Sequence, residues 1–280
     1  MAQEIKVGLV QMTSGPDMAL NVANCCSYIE EAVLAGATFV LTPEMTNIFE
    51  RSSSRLLDVC FHEDEDPHLK SFQSIAKKHA IWLLLGSMAV LSENNKLSNR
   101  SFIISPLGEI IARYDKLHMF DAKLPNGERY EESKSYVAGK TAVLAKLPFA
   151  NVGLSICYDL RFPLLYQKLA LAGANLLVIP SAFTKTTGQA HWHTLVRARA
   201  IETGCYVLAP AQTGQHYVGR ETFGHSLIVD PWGIIVCDGK IDTGVLTASL
   251  DFTKVNKARE NIPNLKAVKN ELSVSIVEQQ

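Results

Sequence analysis

The sequence predicts an α/β fold built from two related sheets within one domain. Strand-like and helix-like segments alternate along the chain, two distant segments share a β-turn-β pattern, and no Pro/Ser/Gly-rich linker divides the 280 residues. That length lies between one large domain and two small ones and is ample for a sizeable core.

The first segment, Ile5 to Met12 (IKVGLVQM), is β-rich. Met18 to Ala35 carries apolar residues at helical spacing and ends before Gly36, a suitable C-terminal stop. Thr38–Thr42 reads as a short buried strand, Pro67–His79 as a helix, and Ile81–Leu91 as another strand. Phe162–Ala172 and Ala190–Thr203 read as helices, Leu176–Pro180 and Tyr206–Pro210 as buried strands. Helices on a largely buried sheet follow from this alternation. Ser101–Tyr114 (SFIISPLGEIIARY) and Ser226–Gly239 (SLIVDPWGIIVCDG) each run β, Pro-x-Gly, β. Proline presets φ at the first turn corner and glycine tolerates the geometry after it, so both are predicted hairpins. Two equivalent hairpins far apart favour a sandwich over a barrel or a simple open sheet. HEDED at 62–66 reads as a solvated loop, and the tail after about residue 252 as one that frays or packs on a partner subunit.

The composition, 47% hydrophobic and 20% charged with net charge −1, is that of an ordinary globular protein with no global field. Basic residues are scattered, which argues against nucleic acid as a partner. No apolar run approaches the roughly 20 residues needed to cross a bilayer, and the N-terminus lacks a signal-peptide pattern. A cytoplasmic protein with no membrane partner is the expectation. The six cysteines form no C-x-x-C pair, so neither a zinc knuckle nor a redox pair is encoded.

Chemistry concentrates in Val152–Pro163 (VGLSICYDLRFP). A β-run delivers Cys157 at its end, and Pro163 suits the first turn of a helix. A thiol there faces backbone N–H groups and a helix dipole, both of which favour thiolate, and the Tyr158 N–H can point at a developing oxyanion. The competing reading is a buried structural cysteine. Glu44 follows the strand TFVLT, where exclusion of water would raise its pKa towards neutrality. Lys116 follows the first hairpin and can turn its ammonium into a cleft or out to solvent. His191 and His193 lie two apart on a predicted helix, on different faces, and make a poor metal pair. His118 can face away from the site, and His216 and His225 can bond locally. No partner motif for a Cys–His mechanism surrounds any of them.

PEMTN at 43–47, YDKLHMF at 114–120 and SICYDLRFP at 155–163 together resemble the motifs of the nitrilase superfamily of carbon–nitrogen hydrolases, and VGLVQM, RARAIET and HSLIVDPWG extend the resemblance over nearly the whole chain. The resemblance implies a single-domain α-β-β-α sandwich that associates as a homodimer or higher homo-oligomer. It also implies a Glu–Lys–Cys triad of Glu44, Lys116 and Cys157, with no metal or organic cofactor. In YEESKS it points to Glu132 as a second active-site glutamate, with adjacent Glu131 the alternative. Within the superfamily, HMFDAKLPNGERYEESKSYVAG, SAFTKTTGQAHW and RARAIETGCYVLAPAQTGQH resemble the amidase branch, and most closely amidases of deaminated glutathione. That implies hydrolysis of a small anionic 2-oxo acid amide to 2-oxoglutarate and cysteinylglycine. Neighbouring branches act on 2-oxoglutaramate or 2-oxosuccinamate, on N-carbamoyl amino acids or on nitriles, and a catalytically silent scaffold would be expected to lose the triad. For the anionic substrate, Tyr158, Arg161, Phe183, Thr184 and Thr187 are the binding candidates. Arg161 can instead pair with Asp159, and Arg199 with Glu202 three residues on.

Overall fold

The computed structural model describes residues 4–92 and 95–269, together with residues 273 and 275. In chain order its strands are β1 (Glu4–Gln11), β2 (Phe39–Leu41), β3 (Trp82–Leu91), β4 (Leu97–Ile104), β5 (Ile110–Asp115), β6 (Asp121–Lys123), β7 (Arg129–Glu131) and β8 (Leu144–Lys146). They continue as β9 (Asn151–Leu154), β10 (Leu176–Val178), β11 (Tyr206–Ala209), β12 (Thr213–Gln215), β13 (Glu221–Phe223), β14 (Leu227–Val229), β15 (Ile235–Asp238) and β16 (Gly244–Asp251). The helices are α1 (Met18–Leu34), α2 (Ser53–Val59), α3 (Pro67–His79), α4 (Pro163–Leu171), α5 (Lys185–Thr203) and α6 (Thr253–Asn261).

Two six-stranded sheets run in the orders β16-β1-β2-β3-β4-β5 and β8-β9-β10-β11-β14-β15. Each has three parallel strands in the middle, one antiparallel strand on the first edge and an antiparallel hairpin on the other. The hairpins are the two Pro-x-Gly segments, so the sheets are equivalent halves, as the repeat predicts. Parallel neighbours require crossovers, supplied by α1 and α3 in the first half and α4 and α5 in the second.

The sheets stack face to face. One core joins Val7, Leu9, Phe39 and Leu41 of the first sheet to Val152, Leu176, Val207 and Ile228 of the second. A second core packs Ile29 of α1 and Phe72 of α3 on Val40, Leu83 and Phe102. The result is the α-β-β-α sandwich. Among the described residues no helix is long and apolar enough to cross a membrane.

Several local expectations change. The loop at 62–66 is not simply solvated: Glu63 binds Arg100 at 2.8 Å and Arg113 at 2.6 Å, and buried Asp66 caps α3 through the His68 and Leu69 amides. Helix α5 begins at Lys185, five residues before its predicted start, because the Thr184 side chain accepts the Thr187 N–H. The poor helix formers in TKTTG hide that start. The first part of the tail packs on its own chain: α6 buries Val255 and Ala258, and Arg259 donates to the Thr203 and Ala174 carbonyls.

Gly86 in β3 ties the fold to what lies above it. A Cβ there would stand 1.9 Å from the Thr42 carbonyl, 2.5 Å from that of Pro43 and 2.7 Å from the Pro180 Cβ. Only glycine allows the segments after β2 and β10 to converge. Gly86→Ala is expected to destabilise the protein by about 1–3 kcal/mol and to lower kcat by displacing Glu44, read by thermal denaturation and steady-state kinetics. Parental melting and activity would show that the close approach is not required.

Candidate active site

The carboxyl ends of the central strands from both halves meet at one place. The segment after β2 carries Glu44, and the residue after β5 is Lys116. A 3-10 turn after β7 starts at Glu132, another after β9 starts at Cys157, and the segment after β10 carries Ala182.

Lys116 is 2% exposed in a chain where lysine normally reaches solvent, so its ammonium needs internal partners. Its Nζ lies 2.9 Å from Glu44 Oε1 and 2.9 and 2.8 Å from the two Glu132 oxygens. The remaining carboxylate acceptors are also filled. The Asn99 amide donates to Glu44 at 2.9 Å and Glu132 at 3.2 Å. The Ala182 N–H donates to Glu44 at 2.9 Å and the Phe120 N–H to Glu132 at 2.6 Å. Neighbouring Glu131 points elsewhere, pairing with Lys134 at the surface, so Glu132 is the one that joins the cluster.

Cys157 adopts φ +48°, an uncommon backbone for a non-glycine residue. Its own N–H donates to the Pro180 carbonyl at 3.0 Å. Buried Asp159 holds the turn from inside. It accepts the Ile156 N–H at 2.9 Å, the Tyr114 hydroxyl at 2.6 Å and the His118 N–H at 3.0 Å, with the His118 ring 2.7 Å away. Asp159 therefore does not pair with Arg161. His118 does not line the cavity and packs under the turn, stacked on Phe162. Arg199 pairs with Glu202 at 2.6 Å, as its spacing suggests, but it is itself buried and also binds the Leu160 carbonyl at 2.9 and 3.1 Å, at the end of the same turn.

The electrostatics reverse two expectations. Burial alone would raise the Glu44 carboxyl, but the Lys116 ammonium and hydrogen bonds from Cys157, Lys116 and Asn99 hold it below its ordinary 4.5. Burial and the neighbouring Glu44 carboxylate push the Cys157 thiol well above its ordinary 9.0, outweighing Lys116 and the Ala182 N–H. Burial opposes the Lys116 charge, yet Glu132, Glu44 and Cys157 carry its pKa well above 10.5. The resting cluster is carboxylate, ammonium and neutral thiol, and not the thiolate expected from the helix dipole. Burial and Glu44 decide this, and no long helix starts at the thiol to offset them: Cys157 heads the 3-10 turn, and α4 starts only at Pro163.

Above the cluster opens a cavity of about 300 Å3 whose lining includes Glu44, Lys116, Glu132 and Cys157. Tyr158, Arg161, Phe183, Thr184 and Thr187 line it too. Thr184 and Thr187 bond each other at 2.8 Å. The Arg161 guanidinium lies over the Phe183 ring at 5.3 Å and the Tyr158 ring at 5.9 Å. Sequence reasoning missed Asn99, Asp159, Ala182 and Arg220. Asn99 had a faint signal as a polar residue within a strand, whereas Ala182 acts through its backbone and had none. His193, set aside as a metal ligand beside His191, instead meets His225 and Asp238, their donor atoms within 4.8 Å of one another. Lys240 already binds that carboxylate at 2.8 Å.

Residues 6–260 match the carbon-nitrogen hydrolase family. A deaminated glutathione amidase of Synechocystis is 39% identical over 260 residues, 91% of this chain and 95% of its own length. A probable hydrolase, nit2, of Schizosaccharomyces pombe is 38% identical over 92% of this chain and 95% of its own length. Among solved structures, the Caenorhabditis elegans NitFhit protein superimposes with a TM-score of 0.90 at 36% identity, covering 96% of this chain, which spans 66% of the NitFhit chain. Saccharomyces cerevisiae Nit3, a member of branch 10 of the nitrilase superfamily, gives 0.85 at 29% identity, with 94% and 96% covered. The chain belongs to the carbon-nitrogen hydrolase family of the nitrilase superfamily and is a hydrolase of carbon–nitrogen bonds.

Proposed function

We propose that the protein is an amidase that splits a small anionic 2-oxo acid amide through a thioester on Cys157, with deaminated glutathione, giving 2-oxoglutarate and cysteinylglycine, as its substrate. The observation that carries the chemistry is the contact set of Glu44, Lys116 and Glu132 beside the Cys157 thiol. The substrate choice rests on relatives bearing that name in several organisms, and on the arginines that line the cavity.

In this reading Glu44, ionised and hydrogen-bonded to the thiol, accepts its proton as sulfur attacks the amide carbon. The carbonyl electron pair moves to oxygen, where the Lys116 ammonium and the Tyr158 N–H offset the charge. Protonated Glu44 then gives its proton to the amine nitrogen, and the C–N bond breaks. Water attacks the thioester, losing a proton to Glu44, and the thiol is restored as the acid departs. Glu132 is the positioning residue that keeps Lys116 charged and fixed. Arg161, Phe183, Thr184, Thr187 and Tyr158 hold the acyl portion.

The expected assembly is a homodimer. Ile201 at the end of α5 and Trp232 and Ile234 in the second hairpin are each about half exposed. They form one surface, because the Arg197 Nε donates to the Gly233 carbonyl at 2.8 Å and Ile201 packs on Gly233. Apolar area of this kind favours a partner. Light scattering is expected to give a dimer mass for the parent and a smaller one for Trp232→Glu; a monomeric parent at high concentration argues against it.

Cys157→Ala is expected to lower kcat/KM at least about 10³-fold, and intact-mass spectrometry of the parent should trap an acyl adduct on Cys157. Turnover by the variant at the parental rate removes the nucleophile assignment. Side-by-side assay of deaminated glutathione, 2-oxoglutaramate, an N-carbamoyl amino acid and a simple nitrile tests the substrate. Preference for either of the last two overturns the reading. The pH profile tests the charge states. Glu44 is depressed, so the base is lost only as pH falls below 4.5, while the Cys157 and Lys116 states hold to at least 9.0. A kcat/KM plateau from about pH 5 to 9 is expected, and an inflection near neutrality would contradict the assignment.

A further inference from the structure

The cavity is unbalanced in charge. Its carboxylates are already engaged: Glu44 and Glu132 by Lys116, Glu131 by Lys134, and Glu50 by Arg55. Its arginines are not. Arg51, Arg129, Arg161 and Arg220 line the cavity, and among the described residues none pairs with a carboxylate. One cation suffices for a substrate with one carboxylate, so a second anionic group on the substrate is implied.

Arg220 is the best-defined of the four. Its guanidinium lies 4.5 Å from the Phe49 ring centre and 5.1 Å from that of Tyr130. Rings over its faces leave the edge, where the N–H donors lie, as the binding surface. Its Nε is buried without a hydrogen-bond partner. Its hydrogen bond among the described residues is a long one, 3.3 Å from Nη2 to the Ala182 carbonyl. An unpartnered buried donor on a cation is costly unless a ligand fills it. Neighbouring His216 adds no charge, since burial lowers its pKa to about 4.

The location gives the subsite its role. The Ala182 carbonyl receives Arg220, and the N–H of the same residue binds Glu44 at 2.9 Å. Phe49, beneath the guanidinium, belongs to the wall that Glu44 begins. Glu44 is the group that passes a proton to the departing nitrogen, so Arg220 flanks the leaving amine. Arg161 belongs to the Cys157 turn and lies against Tyr158 and Phe183, on the acyl side.

We infer that Arg220 forms a carboxylate-binding subsite on the leaving-amine side, which selects amides whose departing amine carries its own carboxylate, as a peptide-like amine does. This rests on the amidase reading and deepens it. A guanidinium–carboxylate pair there spans planar, complementary groups and is lost when the amine is ammonia.

Two compounds with one acyl group test it: 2-oxoglutaryl-cysteinylglycine and the same molecule with its C-terminal carboxylate converted to an amide. Each is assayed with the parent, Arg220→Met and Arg220→Lys, and folding is checked by circular dichroism and melting. The parent is expected to favour the carboxylate form by about 100-fold in kcat/KM. Arg220→Met should collapse that ratio towards one, mainly through KM, and Arg220→Lys should restore part of it. An unchanged ratio in Arg220→Met, with both compounds slowed equally, assigns Arg220 a purely structural role and overturns the inference. A parent that hydrolyses neither compound overturns the substrate reading beneath it, and a parent that hydrolyses both equally well overturns the subsite alone.

Discussion

A buried ammonium between a buried carboxylate, Glu44, and a partly buried one, Glu132, is the constraint on which the rest of the site depends. Taking any one of these ions out of water costs several kcal/mol, and none is tolerable unless the others are in contact. Lys116 is reached from the first sheet's hairpin, Glu44 from the crossover after β2, and Glu132 from the turn after β7. The cluster therefore ties three separate stretches of chain to one point. Asn99 spans the two carboxylates from inside β4, and the Phe120 and Ala182 amides close the remaining positions. With both carboxylates satisfied, a network of this kind favours one arrangement, although the Asn99 Oδ1 is buried without a hydrogen-bond partner.

The second half of the sandwich supplies the thiol, and it does so under equally tight control. Asp159 has no exposure, and its acceptors collect the Ile156 amide, the His118 amide and ring, and the Tyr114 hydroxyl. Tyr114 comes from the first sheet, so this buried carboxylate also joins the halves. Arg199 caps the far end of the turn. The uncommon φ of Cys157 is held by both. In the proposed mechanism, the neutral thiol beside an ionised Glu44 gains its nucleophilicity only as it gives up its proton in attack.

Pseudo-symmetry divides the labour. The two sheets share an order of one antiparallel strand, three parallel strands and a hairpin, yet the site is asymmetric: Glu44 and Lys116 follow strands of the first sheet, Cys157 and Ala182 follow strands of the second. Gln212 links them near the centre, its amide donating to the Glu44 carbonyl and to the Ser14 hydroxyl while its oxygen accepts the Ser14 N–H. Gly86 permits the convergence by presenting no Cβ to the Thr42 and Pro43 carbonyls.

The sequence by itself determined the α/β alternation, the paired hairpins and the family, because periodicity and Pro-x-Gly turns are local signals and the three motifs occur in order. It also determined which residues could form the triad. Only the tertiary structure decided that Glu132 rather than Glu131 meets Lys116, that Asp159 and Arg199 brace the Cys157 turn, and that Asn99, Ala182 and Arg220 belong to the site. Those assignments depend on which way a side chain points across dozens of residues of chain, and on backbone amides that carry no residue signature. The charge states were likewise outside the sequence's reach. A pKa follows the distance to neighbouring ions and to water, and Cys157, Glu44 and Lys116 become neighbours only when the two sheets stack.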